Sequence, residues 1–286
     1  MSELAQVIGS QEWLDNIAKP VEKTVEKAFP GETGRTIKDG LQGRWLGHPL
    51  HPVLTDVPIG AWMMAQVFDA LGATRNTRAY DNAARVCITT GLVGAVGAAV
   101  TGLADWSDTG RDSRRIGFIH GLVNITATSL FLTSAILRRR RKTTGAVAAS
   151  STGFAVAMAG AYLGGTLVYQ RQIGTHHALD WNAPGEFARA IAVSELPEGT
   201  KRKVRVGDVD VVVGRHQGTL FALAERCAHQ GGPMSEGEMK DGTIVCPWHG
   251  STFCTTSGKL VHGPSTYDQP CYETRVSDGF LEVRRR

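Results

Sequence analysis

Cysteine is scarce in this chain, five residues among 286. Two of the five have neighbours with metal-ligand spacing, and Cys87, Cys254 and Cys271 are scattered, so a disulfide-stapled scaffold is excluded. Net charge is also small, +4, and much of it comes from one run, Arg138, Arg139, Arg140, Arg141 and Lys142. Such a run flanks a membrane or forms a solvated face. No stacking aromatics or binding motif accompany it, so nucleic acid is not an expected partner. Residues 1–18 are polar and broken by charge, and no N-terminal signal peptide is expected.

Charge is missing altogether from long stretches. Residues 86–104 hold no ionisable group but Cys87, residues 116–137 only His120, and residues 145–169 carry no charge at all. Each can cross a hydrocarbon layer as a helix, which takes about 20 residues. Residues 52–71 are a weaker fourth candidate, compromised by Asp56 and Asp69. A soluble bundle would rarely hold three such runs. Gly91, Gly94, Gly97 and Gly102, and later Gly160, Gly164 and Gly165, suit close helix contact in lipid.

These runs divide the chain. Residues 1–47 are polar, with an amphipathic helix over 12–29 that lies on the membrane or on the rest of the protein. Its apolar side is Trp13, Leu14, Ile17, Val21, Val25 and Phe29, and Pro20 is placed at the start of a second helix. Residues 48–172 form the membrane domain and residues 173–189 a linker. Residues 190–286 change to short β-rich runs, at 203–206, 209–213, 220–223, 243–246, 272–276 and 280–283, separated by Gly and Pro. The expected architecture is multi-domain: an N-terminal all-α membrane bundle of about four transmembrane helices, then a C-terminal all-β domain.

The β domain holds the chemistry. Cys227-Ala228-His229 and Cys246-Pro247-Trp248-His249 stand sixteen residues apart. Two such loops facing each other present two thiolates and two imidazoles to one small site. Thiolates bind ferric iron strongly and imidazoles suit the iron that is reduced. A structural zinc is the plainer alternative, but zinc fingers pair Cys with Cys and His with His, whereas each loop here supplies one of each.

The stretch from Cys227 to Pro264, CAHQGGPMSEGEMKDGTIVCPWHGSTFCTTSGKLVHGP, resembles a Rieske domain throughout. The resemblance implies a [2Fe–2S] cluster, with Cys227 and Cys246 on one iron and His229 and His249 on the other. It implies that Ser251 donates to a cluster sulfur and that Gly263-Pro264 belongs to the loop covering the cluster. Quinol-oxidising members carry an extra disulfide between the cluster loops. Gly231 or Gly232 and Trp248 stand at those positions here, so no bridge forms. Phe253 replaces a Tyr of those members and lacks its hydroxyl. Fewer donors to the cluster place the potential in the lower half of the Rieske range. Cys254 reads as a small buried hydrophobe.

In a four-span topology His48, His51, Asp56, Asp105, His120, His176 and His177 all fall at the membrane face bearing the C-terminal domain. Ionisable groups at a lipid edge often mark a site, so His48, His51, Asp56, Asp105, His120 and His176 are candidates for a second one, holding a metal, a haem b or a quinone. The bland reading is satisfaction by backbone or water. The motifs HPLHP, DVPIG, TGLADW and YLGG resemble an uncharacterised bacterial membrane domain found fused to Rieske modules. The expected location is a bacterial inner membrane, multi-pass. The density of Arg75, Arg78, Arg85 and residues 138–142 in short loops puts those loops in the cytoplasm and the cluster domain outside. The 138–142 run and the mild last span could then act as an internal twin-arginine signal.

Three functions are compatible with these features. One is a membrane-bound electron carrier between a redox donor and acceptor. Another is an oxidoreductase, either linked to quinone or haem or serving as the electron-entry component of an oxygenase. The third is a redox sensor, weakened by the lack of an output domain.

Overall fold

The computed structural model describes residues 3–75, 78–179 and 182–286. Asp180 and Trp181 of the expected linker lie outside them. The chain divides into two compact units: Met1–Gly34 with Pro49–Ile173, and Arg35–His48 with Gly174–Arg286.

The first unit is helical. Short helices α1 (Glu3–Gly9), α2 (Asp15–Lys27) and the start of α3 (Gly31–Gln42) precede four long ones, α4 (Leu50–Arg75), α5 (Arg78–Trp106), α6 (Arg111–Arg139) and α7 (Thr143–Gly165). A π-helical turn, Thr166–Gln170, continues α7. α4 packs along α5 and α6 along α7, and the two hairpins join through α5 with α6 and α4 with α7. Among the described residues three helices are long and apolar enough to cross a membrane: Arg78–Trp106, Arg111–Arg139 and Thr143–Gln170. The expected fourth span corresponds to α4, which has the length but not the hydropathy.

Close contact holds the bundle together. Trp62 of α4 stacks on Phe131 of α6 with ring centroids 4.0 Å apart. Gly91 of α5 makes room for this, since a Cβ there would overlap the Trp62 indole. One member of the basic run turns inward. Arg138 has a fully buried side chain that pairs with Asp69 and with Asp81, each at 2.6 Å. Ser150 Oγ also donates to Asp69 at 3.0 Å. Asp69, which weakened α4 as a candidate span, is therefore a matched charge inside the bundle, because α6 and α7 bring its partners to it.

The N-terminal helices dock on the same unit. Asp15 and Glu22 of α2 meet Arg114 of α6, each at 3.2 Å, and Asp15 also meets Arg115 at 3.0 Å. The two guanidinium groups hold the Asp15 carboxyl well below the usual carboxylate range. Pro20 lies inside α2 rather than starting a helix. The contacts flanking it, Asp15 and Glu22, hold both halves on one axis at the cost of a backbone bond. Leu14 and Ala18 are buried, while Trp13, Ile17 and Val21 are exposed. The helix is thus held by charge and turns part of its apolar stripe outward.

The second unit carries ten strands: β1 (Ala188–Ala192), β2 (Lys201–Val206), β3 (Val209–His216), β4 (Thr219–Ala224), β5 (Glu238–Lys240), β6 (Thr243–Val245), β7 (Thr252–Cys254), β8 (Leu260–His262), β9 (Tyr272–Ser277) and β10 (Phe280–Arg285). They form three antiparallel sheets, β1-β10-β9, β2-β3-β4 and β5-β6-β7-β8. Val211, Val213, Leu223, Ile244, Phe253 and Leu281 fill one shared core. From this packed body three loops emerge: after β4, between β6 and β7, and after β8.

Candidate metal centre

The two cysteine loops are built alike. In the first, the Cys227 carbonyl accepts the Gly231 N–H at 2.8 Å and the Cys227 N–H donates to the Gly232 carbonyl at 2.8 Å. In the second, the Cys246 carbonyl accepts from Gly250 at 3.0 Å and the Cys246 N–H donates to the Ser251 carbonyl at 2.8 Å. The fifth residue of each turn, Gly231 or Gly250, has φ of +75° or +78°. A side chain is strained in that left-handed region, so glycine stands at both. Each turn closes on its own backbone hydrogen bonds.

Both thiols are buried, and the His229 and His249 rings stand perpendicular with centroids 5.0 Å apart. Burial, helped by neighbouring His249, lowers His229 to about 3, so its imidazole is neutral and keeps a lone pair. Its Nδ1 is buried without a hydrogen-bond partner. The Cys227 thiol donates to Cys246, which lowers Cys246 to about 7 and, with burial, raises Cys227. An orphaned imidazole nitrogen beside two buried, paired sulfurs fits an electron-poor metal core. Among the described residues no three His, Cys, Asp or Glu side chains converge as one ion would require. Two thiols and two imidazoles, presented in pairs, match a two-iron core better than a single tetrahedral zinc.

Three residues that sequence reasoning missed hold these loops. Gln269 is buried; its Oε1 accepts from the Ala228 N–H at 2.8 Å, and its Nε2 donates to the Ala224 and Arg226 carbonyls at 2.7 Å each. Ser265 donates its backbone N–H to Ser251 Oγ at 3.0 Å, tying the third loop to the second. Asp39, from α3, accepts the Gly263 N–H at 2.9 Å and faces His262 Nδ1 at 3.2 Å. None stands in a motif. An isolated Gln, Ser or Asp in a polar run gives no signal until the fold encloses it.

Residues 186–273 match the family described as the Rieske [2Fe–2S] domain, and residues 47–177 match one described as a predicted membrane protein, DUF2231. The 3-phenylpropionate/cinnamic acid dioxygenase ferredoxin subunit of Photorhabdus laumondii is 38% identical over 92 residues, which are 32% of this chain and 87% of that protein. The chain belongs to the Rieske family. The same subunit from Escherichia coli K12 is 32% identical over 33% of this chain and 89% of that one. The solved complex of reduced oxygenase and oxidised ferredoxin in carbazole 1,9a-dioxygenase is 28% identical, with a TM-score of 0.34, covering 36% of this chain and 97% of that chain.

A Rieske domain implies a [2Fe–2S] cluster, and the fusion to a membrane domain read from the sequence is borne out. Of the two glycines offered for the missing bridge, Gly232 is the one beneath Trp248, for a Cβ there would meet the indole at 3.1 Å and Cys246 Sγ at 2.9 Å. Phe253 is fully buried in β7.

The membrane-edge candidates divide between the units. His48 and His176 belong to the Rieske unit. His51 and His120 meet in the helical unit, ring centroids 6.3 Å apart and nearly perpendicular. Each turns Nδ1 to a helix carbonyl, His51 to Ala98 at 2.8 Å and His120 to Gly160 at 2.9 Å. Asn124 Nδ2 lies 3.2 Å from His120 Nε2. Asp56 is exposed and Asp105 half-buried. Backbone satisfaction, the bland alternative, describes both histidine pairings.

Proposed function

We propose that this protein is a membrane-bound one-electron carrier whose Rieske centre is held by Cys227 and Cys246 on one iron and His229 and His249 on the other. The observation that carries the reading is the buried, unpartnered Nδ1 of His229 beside the paired thiols of Cys227 and Cys246. When bound, the cluster supplies a carrier for a single electron. The protein's own residues do the rest. The cysteines sit buried, the two imidazoles are only partly covered, and the electron's path to a partner is shortest through the histidine edge. Ser251 Oγ accepts from Ser265, which leaves its hydroxyl hydrogen to donate toward a cluster sulfur. Phe253 offers no such donor.

The helical unit anchors the carrier, and we read α4 as a fourth span because Arg138 neutralises its Asp69. The short loops rich in Arg favour a cytoplasmic side for those loops and an outside position for the cluster domain. Among oxidoreductase readings, the electron-entry component of an oxygenase is favoured by the dioxygenase ferredoxin subunits similar to this chain. No observation favours haem or quinone.

The test is a combined optical and EPR spectrum of the dithionite-reduced full chain in detergent. The expected result is a Rieske signal that disappears in Cys246→Ser and His249→Ala. Zinc without labile sulfide in anaerobically prepared, iron-supplemented protein refutes the reading. Protease access to the C-terminus in intact cells tests the sidedness, and protection there places the domain inside.

A further inference from the structure

Helix α2 leaves an apolar stripe uncovered. Its Ala18 is fully buried, and its Asp15 and Glu22 carboxylates turn to Arg114 and Arg115 of α6. Ile17 and Val21 of the same helix are 49% and 38% exposed, and Trp13, in the turn just before it, is 58% exposed. Lys23, Glu26 and Lys27 are exposed as well, and Lys19 pairs with Asp15 at 3.4 Å. Successive residues stand about 100° apart around a helix. Measured from the side that meets α6, Ile17 and Val21 therefore point roughly 110° one way, and Lys19, Lys23 and Glu26 roughly 75° the other. Thr24 lies on the apolar side, where its hydroxyl donates to the Pro20 carbonyl at 2.8 Å. The helix thus has three faces: one against protein, one apolar and uncovered, one charged. A helix lying along a bilayer beside a span meets those three surroundings, namely the span, hydrocarbon and water.

The ion pairs fix the level at which α2 lies. Arg114 and Arg115 stand at the start of α6, directly ahead of the uncharged run that begins at residue 116. Arg115 also donates to the Gly9 carbonyl, at the end of α1, at 2.7 Å. Trp106, at the end of α5, donates its indole N–H to the Arg114 carbonyl at 2.9 Å. Arginine and tryptophan at the end of a span mark the headgroup level. We propose that α2 is an in-plane anchor: its Trp13, Ile17 and Val21 face rests in the lipid interface that the spans cross, and Asp15 and Glu22 clamp it to α6 so that the bundle sits at a fixed depth. The exposed charges of its polar face carry both signs, Lys23 and Lys27 against Glu12 and Glu26, so the partner is a zwitterionic lipid surface rather than an anionic one. The inference rests on reading the helical unit as membrane-spanning.

The experiment uses the full chain in phosphatidylcholine vesicles, with and without lipid brominated on the upper chain carbons. Flotation after an alkaline carbonate wash first establishes that the protein is embedded. Release into the wash overturns the membrane reading, and this proposal with it. In embedded protein, the fluorescence of the wild type less that of Trp13→Phe isolates Trp13. Brominated lipid should quench that difference by about half or more and aqueous iodide should quench it little, because an interfacial helix sinks its apolar face about 5–10 Å into the headgroup and acyl boundary. In the Trp13→Phe background, Ile17→Trp should add a signal that behaves as Trp13 does. Lys23→Trp should add one that brominated lipid quenches at least about threefold less and iodide quenches more. Replacing part of the lipid with anionic phosphatidylglycerol should leave this pattern unchanged. Quenching of positions 13 and 17 by iodide puts the stripe in water, and insensitivity to both quenchers puts it against protein, either this chain or a second copy. Either result in embedded protein, or a lipid signal that appears only with phosphatidylglycerol, overturns the proposal and leaves the membrane reading standing.

Discussion

Gln269→Leu removes three buried hydrogen bonds while nearly conserving volume. The wild-type amide accepts from Ala228 and donates to Ala224 and Arg226 at 2.7 to 2.8 Å, all within or beside the first cluster loop. Leucine leaves one N–H and two carbonyls facing an apolar group in a site where Gln269 is 2% exposed. Each stranded group costs about 1–3 kcal/mol, so a loss of about 3–5 kcal/mol is expected after partial relaxation. That is a large share of the roughly 5–15 kcal/mol that holds a domain folded. For a domain of this size 1 kcal/mol moves Tm by about 4–8 °C, so the midpoint should fall by more than about 10 °C. The assay follows visible circular dichroism of the cluster during heating, with far-ultraviolet dichroism of the helices recorded alongside. The cluster signal should melt early while the helical signal melts at its wild-type temperature. Gln269→Glu keeps the acceptor but sets a carboxylate against two carbonyls, and it should be no better than leucine. A Q269L cluster that melts within 2–3 °C of wild type, roughly half a kcal/mol, refutes the reasoning.

Arg138→Met alone strands the charges of Asp69 and Asp81 and should cost about 3–5 kcal/mol, read as a lower melting temperature in detergent, whereas adding D69L and D81N should recover most of it. The docking of α2 should be acid-sensitive. In an E22Q background, where Asp15 is the remaining carboxylate of that cluster, the depressed Asp15 pKa means its contribution is complete above the ordinary value of 3.8 and is lost as pH falls through the lower folded value. Trp13 fluorescence should report undocking on that acid limb, and D15N should show it already at neutral pH. Phe253→Tyr adds a hydroxyl near the second cluster loop and should raise the reduction potential from the lower half of the range of about −150 to +300 mV, measured by EPR-monitored titration; a wild-type value near +300 mV would show that the missing hydroxyl does not set it.

The proposed site was legible because metal ligation needs particular atoms at short sequence spacing. Cys227 with His229 and Cys246 with His249 carry that requirement in the primary structure, and so do Gly231 and Gly250, whose turns tolerate little else. The longer strands, β2, β3, β4, β9 and β10, were legible as well, because alternation over five or more residues leaves a pattern. Of the three-residue strands, β6 fell on a predicted run while β5, β7 and β8 did not, since so short a run has no period, and β1 began inside the expected linker. The apolar helices were plain from their lack of charge, and for the same reason α4 was doubtful.

Tertiary structure decided everything that depends on pairing across distance. Nothing local says that Arg138 neutralises Asp69, so the sequence could count those charges only as penalties. Nothing local assigns residues 35–48 to the Rieske body, since Asp39 is one polar side chain in a polar helix until Gly263 and His262 close on it. Gln269 is likewise silent in isolation. Sequence fixes which atoms can bind iron because chemistry is carried by residue type. Which neighbours hold those atoms still is settled by burial, and burial exists only once distant segments have come together.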